Sequence, residues 1–271
     1  ATHLLLDPWS VIPNLALMHL SSWLTAKGHT VYLADSPKVP DEVWISCVFT
    51  FHREEAISSK RMWEIRGSKV HLGGSGIDLE NRIPPEAEAT TPDYDLYDDD
   101  RIVGFTVRGC NRKCEFCFVP KMEGKIRPET YRPLREWVPE GRKKILLLDN
   151  NISQSPFHDA VHKEAKEAGY KLCVTQGHDI RLMTPERAAF LADHRSYNVA
   201  FDHRTLYFAW DYLGIENSVR RGVAMLKTVK FDERELMCYM LCGFNTTHEE
   251  DLYRFRTLRE LGVMPYVMPY Q

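Results

Sequence analysis

The chain has 271 residues, 44% hydrophobic and 27% charged, with a formal net charge of −3. That length allows one large domain or two of ordinary size. The composition excludes global disorder, and the charge balance gives no electrostatic reason for nonspecific nucleic-acid or anionic-membrane binding. No apolar run reaches the roughly 18 residues of a membrane span, and the opening stretch Ala1–Asp7 lacks the length and basic flank of a signal peptide.

Residues 1–91 alternate strand and helix patterns. His3–Leu6 and Thr30–Ala34 read as strands. Between them Leu17, Leu20, Trp23 and Leu24 recur at helical spacing, with Asn14 as a start signal and Gly28 as a stop. Val43–Phe49 and Lys69–Leu72 read as further strands around a charged helix. This order predicts a small Rossmann-like sheet. The first turn, Asp7-Pro8-Trp9-Ser10, carries no glycine fingerprint for a dinucleotide. Residues 92–101, with the preceding Pro84-Pro85 stretch, are rich in Pro and Asp and read as a linker.

From residue 102 to 271 apolar runs open at Ile102, Lys144, Lys171, Thr205, Glu235 and Met264. Helix starts are signalled at Ser155-Pro156, at Thr184-Pro185 and at Thr247 with Glu250, a capping box. Runs such as Ile145–Leu148, apolar on both faces, suit buried parallel strands. Six strands and five intervening helices at about 30-residue spacing are the βα units of a parallel barrel or doubly wound sheet. The chain opens on alanine and no helix follows the sixth strand, so a C-terminal truncation is expected.

The seven cysteines lie at positions 47, 110, 114, 117, 173, 238 and 242. An odd count with three inside eight positions argues against a disulfide framework and for a reducing, cytoplasmic setting. Cys110, Cys114 and Cys117 form C-x3-C-x2-C directly after the strand Ile102–Val107, with Phe116 before the last thiol. Three thiolates on one loop can hold three corners of a [4Fe-4S] cluster and leave one iron open. Arg108, Arg112 and Lys113 would offset the negative charge. Zinc with a fourth ligand from His52, His71 or Cys173 is the competing reading. Cys47, Cys173 and Cys238 sit inside strand patterns, and Cys242 at a strand end reads as a buried, inert thiol, with a substrate-side thiol or a second-cluster ligand as the alternative. His158 and His162, four apart on a helix, could chelate a metal, but on an outer barrel helix they are expected in solvent.

This cysteine stretch resembles the signature of the radical S-adenosylmethionine (radical SAM) superfamily. The resemblance covers residues 102–271 and implies a partial (β/α)6 TIM-like barrel. It likewise makes residues 1–91 similar to the cobalamin-binding-type Rossmann-like domain that precedes many such barrels. It implies that the amino and carboxylate groups of S-adenosylmethionine chelate the open iron. An electron from the reduced cluster, supplied by a flavodoxin or ferredoxin, would then release methionine and a 5′-deoxyadenosyl radical. The resemblance leaves the substrate unassigned.

By the same resemblance, cofactor contacts fall at the strand ends. Asp149, Asn150 and Asn151 stand where the superfamily often has Gly-Gly-Glu; this chain departs from that pattern, and turn formation or helix capping is the alternative role. Gln176 and Arg181 would face the methionine part and Asp211 the ribose hydroxyls, with a salt bridge to a neighbouring barrel arginine as the alternative for Asp211. Gly243 and Met268 would face the adenine, and Phe116 completes the signature. An Asp179–Arg181 ion pair is the alternative role for that loop. No Asp-x-His-x-x-Gly loop marks a lower-ligand cobalamin domain. Gly73-Gly74 and Gly76 resemble a turn that admits a cofactor tail, yet cobalamin is the less favoured expectation. A cobalamin-assisted methyltransferase and a non-catalytic iron–sulfur or zinc module are the rival functions.

Overall fold

A computed structural model describes residues 1–270. The chain divides into two compact units after Val103. Both are mixed α/β structures with parallel sheets.

The first unit holds β1 (Thr2–Leu6), α1 (Leu15–Ala26), β2 (Thr30–Leu33), β3 (Glu42–Ser46), α2 (Arg53–Ile65), β4 (Lys69–Gly73) and the short α3 (Pro85–Glu88). Its four strands pair in parallel in the order β2-β1-β3-β4. Asn14 caps α1 by accepting from the Leu17 amide at 3.2 Å. Leu4, Val43 and Ile45 bury one face of the sheet, and Leu5 packs with Leu17 and Leu20 of α1 on the other.

Two expectations for this unit change. The stretch 92–101, read as a linker, is docked. The Asp93 amide donates to Met18 O at 3.1 Å, the Ser21 hydroxyl donates to Asp93 at 2.7 Å, and Leu96 packs against the α1 cluster. The glycine turn after β4 serves the chain's own backbone. A Cβ on Gly74, whose φ is +101°, would stand 2.4 Å from Cys47 O, and one on Gly76 would stand 2.6 Å from Phe49 O.

The boundary falls within β5 (Arg101–Gly104). The second unit continues with α4 (Val119–Met122), β6 (Lys144–Leu147), α5 (His158–Glu167), β7 (Lys171–Val174) and α6 (Pro185–Asp193). It ends with β8 (Leu206–Ala209), α7 (Glu216–Thr228), β9 (Leu236–Cys242), α8 (His248–Glu260) and β10 (Met264–Pro269). The strands form two three-stranded sheets, β5-β6-β7 and β8-β9-β10. A parallel bridge between His178 and Phe208 links them, with the His178 amide donating to Tyr207 O at 2.7 Å. The largest core cluster lies between the second sheet and α6, α7 and α8, around Phe208, Trp210, Val219, Leu226 and Leu258.

The capping box at Thr247 and Glu250 forms as expected. The fifth expected helix does not. The interval between β5 and β6 holds only the four-residue α4 and short 3-10 turns. Pro120, Pro128, Pro133 and Pro139 remove amide donors too often for a long helix. β5 also stops at Gly104, short of the expected Val107, because the next amides are captured by a side chain from the neighbouring strand end.

Candidate functional site

That side chain is Asp149, which follows β6 and is almost wholly buried. Its Oδ1 accepts from the Thr106 amide at 2.7 Å and the Val107 amide at 3.3 Å, and its Oδ2 accepts from the Thr106 hydroxyl. Both oxygens are therefore spent on the turn from β5 into the cysteine loop. Burial outweighs these hydrogen bonds and the nearby Arg108 charge and pushes the carboxyl up to about 6.

This shift sets a pH dependence. A carboxyl raised above its unfolded value binds more protons when folded, so stability falls as pH rises from about 4 to about 6, then levels off. The slope contributed by this group is at most about 1.4 kcal/mol per pH unit. Asp149→Asn keeps the acceptor for the two amides and should flatten that part of a pH series of denaturant midpoints. An unchanged slope would remove Asp149 as its source.

Asn150 and Asn151 hold the next residues of the loop. Asn150 Oδ1 accepts from the Gly109 amide at 2.8 Å. Gly109 has φ +100°, and a Cβ there would stand 2.4 Å from Lys125 O. Gly109→Ala should shift the loop and, if the expected cluster assembles there, lower iron incorporation several-fold while the circular dichroism spectrum is retained; full incorporation would show that the turn is not needed. The Cys110 amide donates to Gly124 O at 3.0 Å and the Cys117 amide to Cys114 O at 3.0 Å. Around the Cys110 thiol, the Arg112 amide stands 3.4 Å from Sγ and Asn151 Nδ2 stands 3.6 Å from it. Asn151 Oδ1 is buried and has no hydrogen-bond partner.

Asp179, in the loop after β7, ties this side together. Its carboxylate accepts from Arg112 Nε at 2.9 Å, from Arg181 Nε at 2.6 Å and Arg181 Nη2 at 3.0 Å, and from Asn151 Nδ2 at 3.4 Å. Burial raises its carboxyl, but Arg181 and Arg112 more than compensate and hold it below the usual carboxylate range. The Asp179–Arg181 pair thus forms, and Arg181 also reaches Cys114.

Asp211, at the end of β8, makes no ion pair among the described residues. Burial pushes it up to about 6, against a hydrogen bond from the Leu241 backbone and the charges of Arg254 and Arg181. It lies within electrostatic reach of Cys114 and Cys117. Both thiols are raised by burial first, so a metal or cluster that binds them as thiolates must displace protons. On the far side Phe116 meets Phe244 edge-on at 5.7 Å, and Asn245 Nδ2 donates to Glu115 at 3.4 Å. The cysteine loop therefore touches segments following β6, β7 and β9 and faces the end of β8, all at the carboxyl ends of parallel strands.

Other expected contacts are less engaged. Gln176 is exposed. Gly243 has φ +79°, a conformation that favours glycine, and among the described residues nothing lies within 4 Å of a built Cβ. Met268 is half-buried on β10. Cys47, Cys173 and Cys238 are buried, whereas Cys242 is half-buried rather than buried.

Sequence reasoning missed Gln154, whose Oε1 accepts from the Asn111 amide at 3.0 Å, and the Arg112–Asp179 pair. Residues 67 positions apart give no local signal of their pairing. It also misplaced His158 and His162, which are buried against His178 rather than solvated.

Compared with protein-family models and with curated protein sequences, the chain matches none of the models and none of the sequences. The reading of the site therefore stands on its residues.

Proposed function

We propose that this chain is a radical SAM enzyme in which Cys110, Cys114 and Cys117 hold a [4Fe-4S] cluster. What carries the reading is the C-x3-C-x2-C loop at the carboxyl edge of β5, folded so that the Cys110 thiol faces Asn151. Three thiols on one short loop directly after a strand suit the three protein-held corners of a cubane.

The residues present also fit S-adenosylmethionine. Asn151 Oδ1 is an unpartnered buried acceptor suited to an ammonium group. Asp211 offers a carboxylate without an ion pair for ribose hydroxyls. Arg181, anchored by Asp179, keeps guanidinium donors for a carboxylate. Phe116 packs edge-on against Phe244 beside the loop. With cluster and S-adenosylmethionine bound, reductive cleavage supplies a 5′-deoxyadenosyl radical; the protein's own share is placement and exclusion of water.

Two parallel three-stranded sheets joined at His178–Phe208 support a partial (β/α)6 barrel as the finer description of residues 104–270. No helix of the described residues is long and apolar enough to cross a membrane. A cytoplasmic setting with a flavodoxin or ferredoxin as reductant belongs to the same proposal. The close backbone approaches at Gly74 and Gly76 favour a first unit without cobalamin.

Anaerobic reconstitution should give about four irons per chain and dithionite-dependent 5′-deoxyadenosine from S-adenosylmethionine. One zinc per chain, or a cluster whose spectrum ignores added S-adenosylmethionine with no nucleoside released, overturns the proposal. Mixing with cobalamin should leave its visible absorbance unshifted.

A further inference from the structure

His158 and His162 lie one turn apart on α5, and His178 follows β7. All three are buried, at 2%, 2% and 3% exposure. Their ring centroids are 4.8, 5.6 and 5.7 Å apart, and one ring nitrogen from each lies within 4.8 Å of those of the other two. The Nε2 atom of every ring is buried and has no hydrogen-bond partner among the described residues.

The remaining polar contacts point outward. His158 Nδ1 meets Asp159 Oδ1 at 2.7 Å, His178 Nδ1 meets the Ser153 hydroxyl at 3.4 Å, and His162 bonds the backbone of His194. A carboxylate, a hydroxyl and a backbone group on the outer side of three imidazoles is how proteins orient metal-bound histidines. Three buried nitrogens with no partner cost about 1–3 kcal/mol each. An apolar trio would fill the same space without that cost, and a single cation satisfies all three at once.

We propose that His158, His162 and His178 bind one divalent transition-metal ion of the zinc type, which staples α5 to the loop after β7. An ion at the centre of a triangle with 4.8 Å edges stands about 2.8 Å from each nitrogen, so ring shifts of about 0.7 Å reach the roughly 2.0–2.1 Å of a zinc–imidazole bond. Burial, together with the neighbouring histidines, lowers the proton affinity of these rings, which keeps them neutral and available as ligands.

The charged and titratable groups around the trio are Asp159 on α5 and Arg187 and His194 from α6 and its end. Asp159 favours a cation. Arg187 opposes one, but its guanidinium donates to Ser153 O at 3.0 Å. Ser153 also connects the trio to the cysteine side, because its hydroxyl accepts from the Asp179 amide at 3.0 Å. Consecutive residues therefore split their duties. His178 faces His158 and His162, and Asp179 faces Arg112 and Arg181. The ion would fix the backbone that carries Asp179, without touching the three thiols.

The test is independent of the cluster. The full chain and its C110A/C114A/C117A variant are isolated from cells grown in minimal medium supplemented with zinc or cobalt, and metal content and visible spectra are recorded. The cysteine-depleted chain should retain one equivalent, with cobalt d–d bands and no thiolate charge-transfer band. His158→Gln or His162→Gln in that background, whichever keeps the parent circular dichroism spectrum, should reduce the content at least tenfold. The metal-loaded parent should unfold several degrees above the same chain after chelation. A cysteine-depleted chain without metal, a thiolate-type cobalt spectrum, or undiminished content in a folded histidine variant overturns the proposal. If neither histidine variant folds, the content and spectrum of the cysteine-depleted chain decide.

Discussion

Replacing Cys110, Cys114 or Cys117 singly by alanine should lower reconstituted iron from about four to below about one per chain and reduce 5′-deoxyadenosine formation at least about a hundredfold. A cluster held at three corners has no spare protein ligand, so loss of one thiolate leaves two bonds against hydrolysis of the cluster. All three thiols are half-buried and lie outside the core clusters, so the substitutions should leave the fold intact. Circular dichroism and denaturant midpoints check that point. Cys242→Ala is the matched control: Cys242 is also half-buried, but its thiol contacts Met240 O rather than the loop, so iron content should not change. Iron content and nucleoside release that survive all three loop substitutions would remove both the ligand assignment and the proposed function.

Arg254→Met should destabilise the second unit by about 3–5 kcal/mol, the usual result of removing one partner from a buried, hydrogen-bonded charge pair. Arg254, on α8, is 0% exposed. Its Nη1 donates to Trp210 O, and its Nη2 donates to Leu241 O at 2.5 Å and Asp251 Oδ1 at 2.6 Å. One guanidinium thus joins the ends of β8 and β9 to α8. Methionine replaces the stem but strands two carbonyls and a carboxylate. The loss should appear as a lower denaturant midpoint with little change in the urea dependence. Losing the cation should also push Asp211 higher, since Arg254 is one of the charges restraining it. A loss below about 1 kcal/mol would mean that water replaces the guanidinium at those carbonyls.

Two structural features limit how the candidate site can work. Asp149 lies in the strand-end segment expected to contact the cofactor, yet both of its oxygens face the β5 turn. It is a positioning residue that holds the turn at Thr106 and Val107 leading into the cysteine loop. Arg181 is likewise anchored by Asp179, which would reduce the freedom lost in binding the proposed carboxylate.

Much of the fold was legible because it depends on short-range rules. Asn14, Thr184 and Thr247 each cap the helix they announce, since a side-chain oxygen next to unsatisfied amides acts within three residues. Strands such as Lys144–Leu147 and Lys171–Val174 were visible as apolar runs, because a strand covered on both faces has no polar side. The cysteine spacing was legible for a similar reason: one loop supplies all three thiols.

Contacts made across the chain were another matter. Asp179 meets Arg112, Asn151 meets Cys110, and His178 meets His158 and His162 only after β5, β6 and β7 align and α5 packs beside them. Helical spacing placed His158 and His162 on one face, but it carries no information on what that face meets. Local sequence determined the elements, their caps and the thiol loop, because those depend on neighbours along the backbone. Tertiary packing decided which carboxylates are spent on structure, which acceptor is left unpartnered, and that three histidines share one dry interior, because burial and charge pairing are properties of the folded chain.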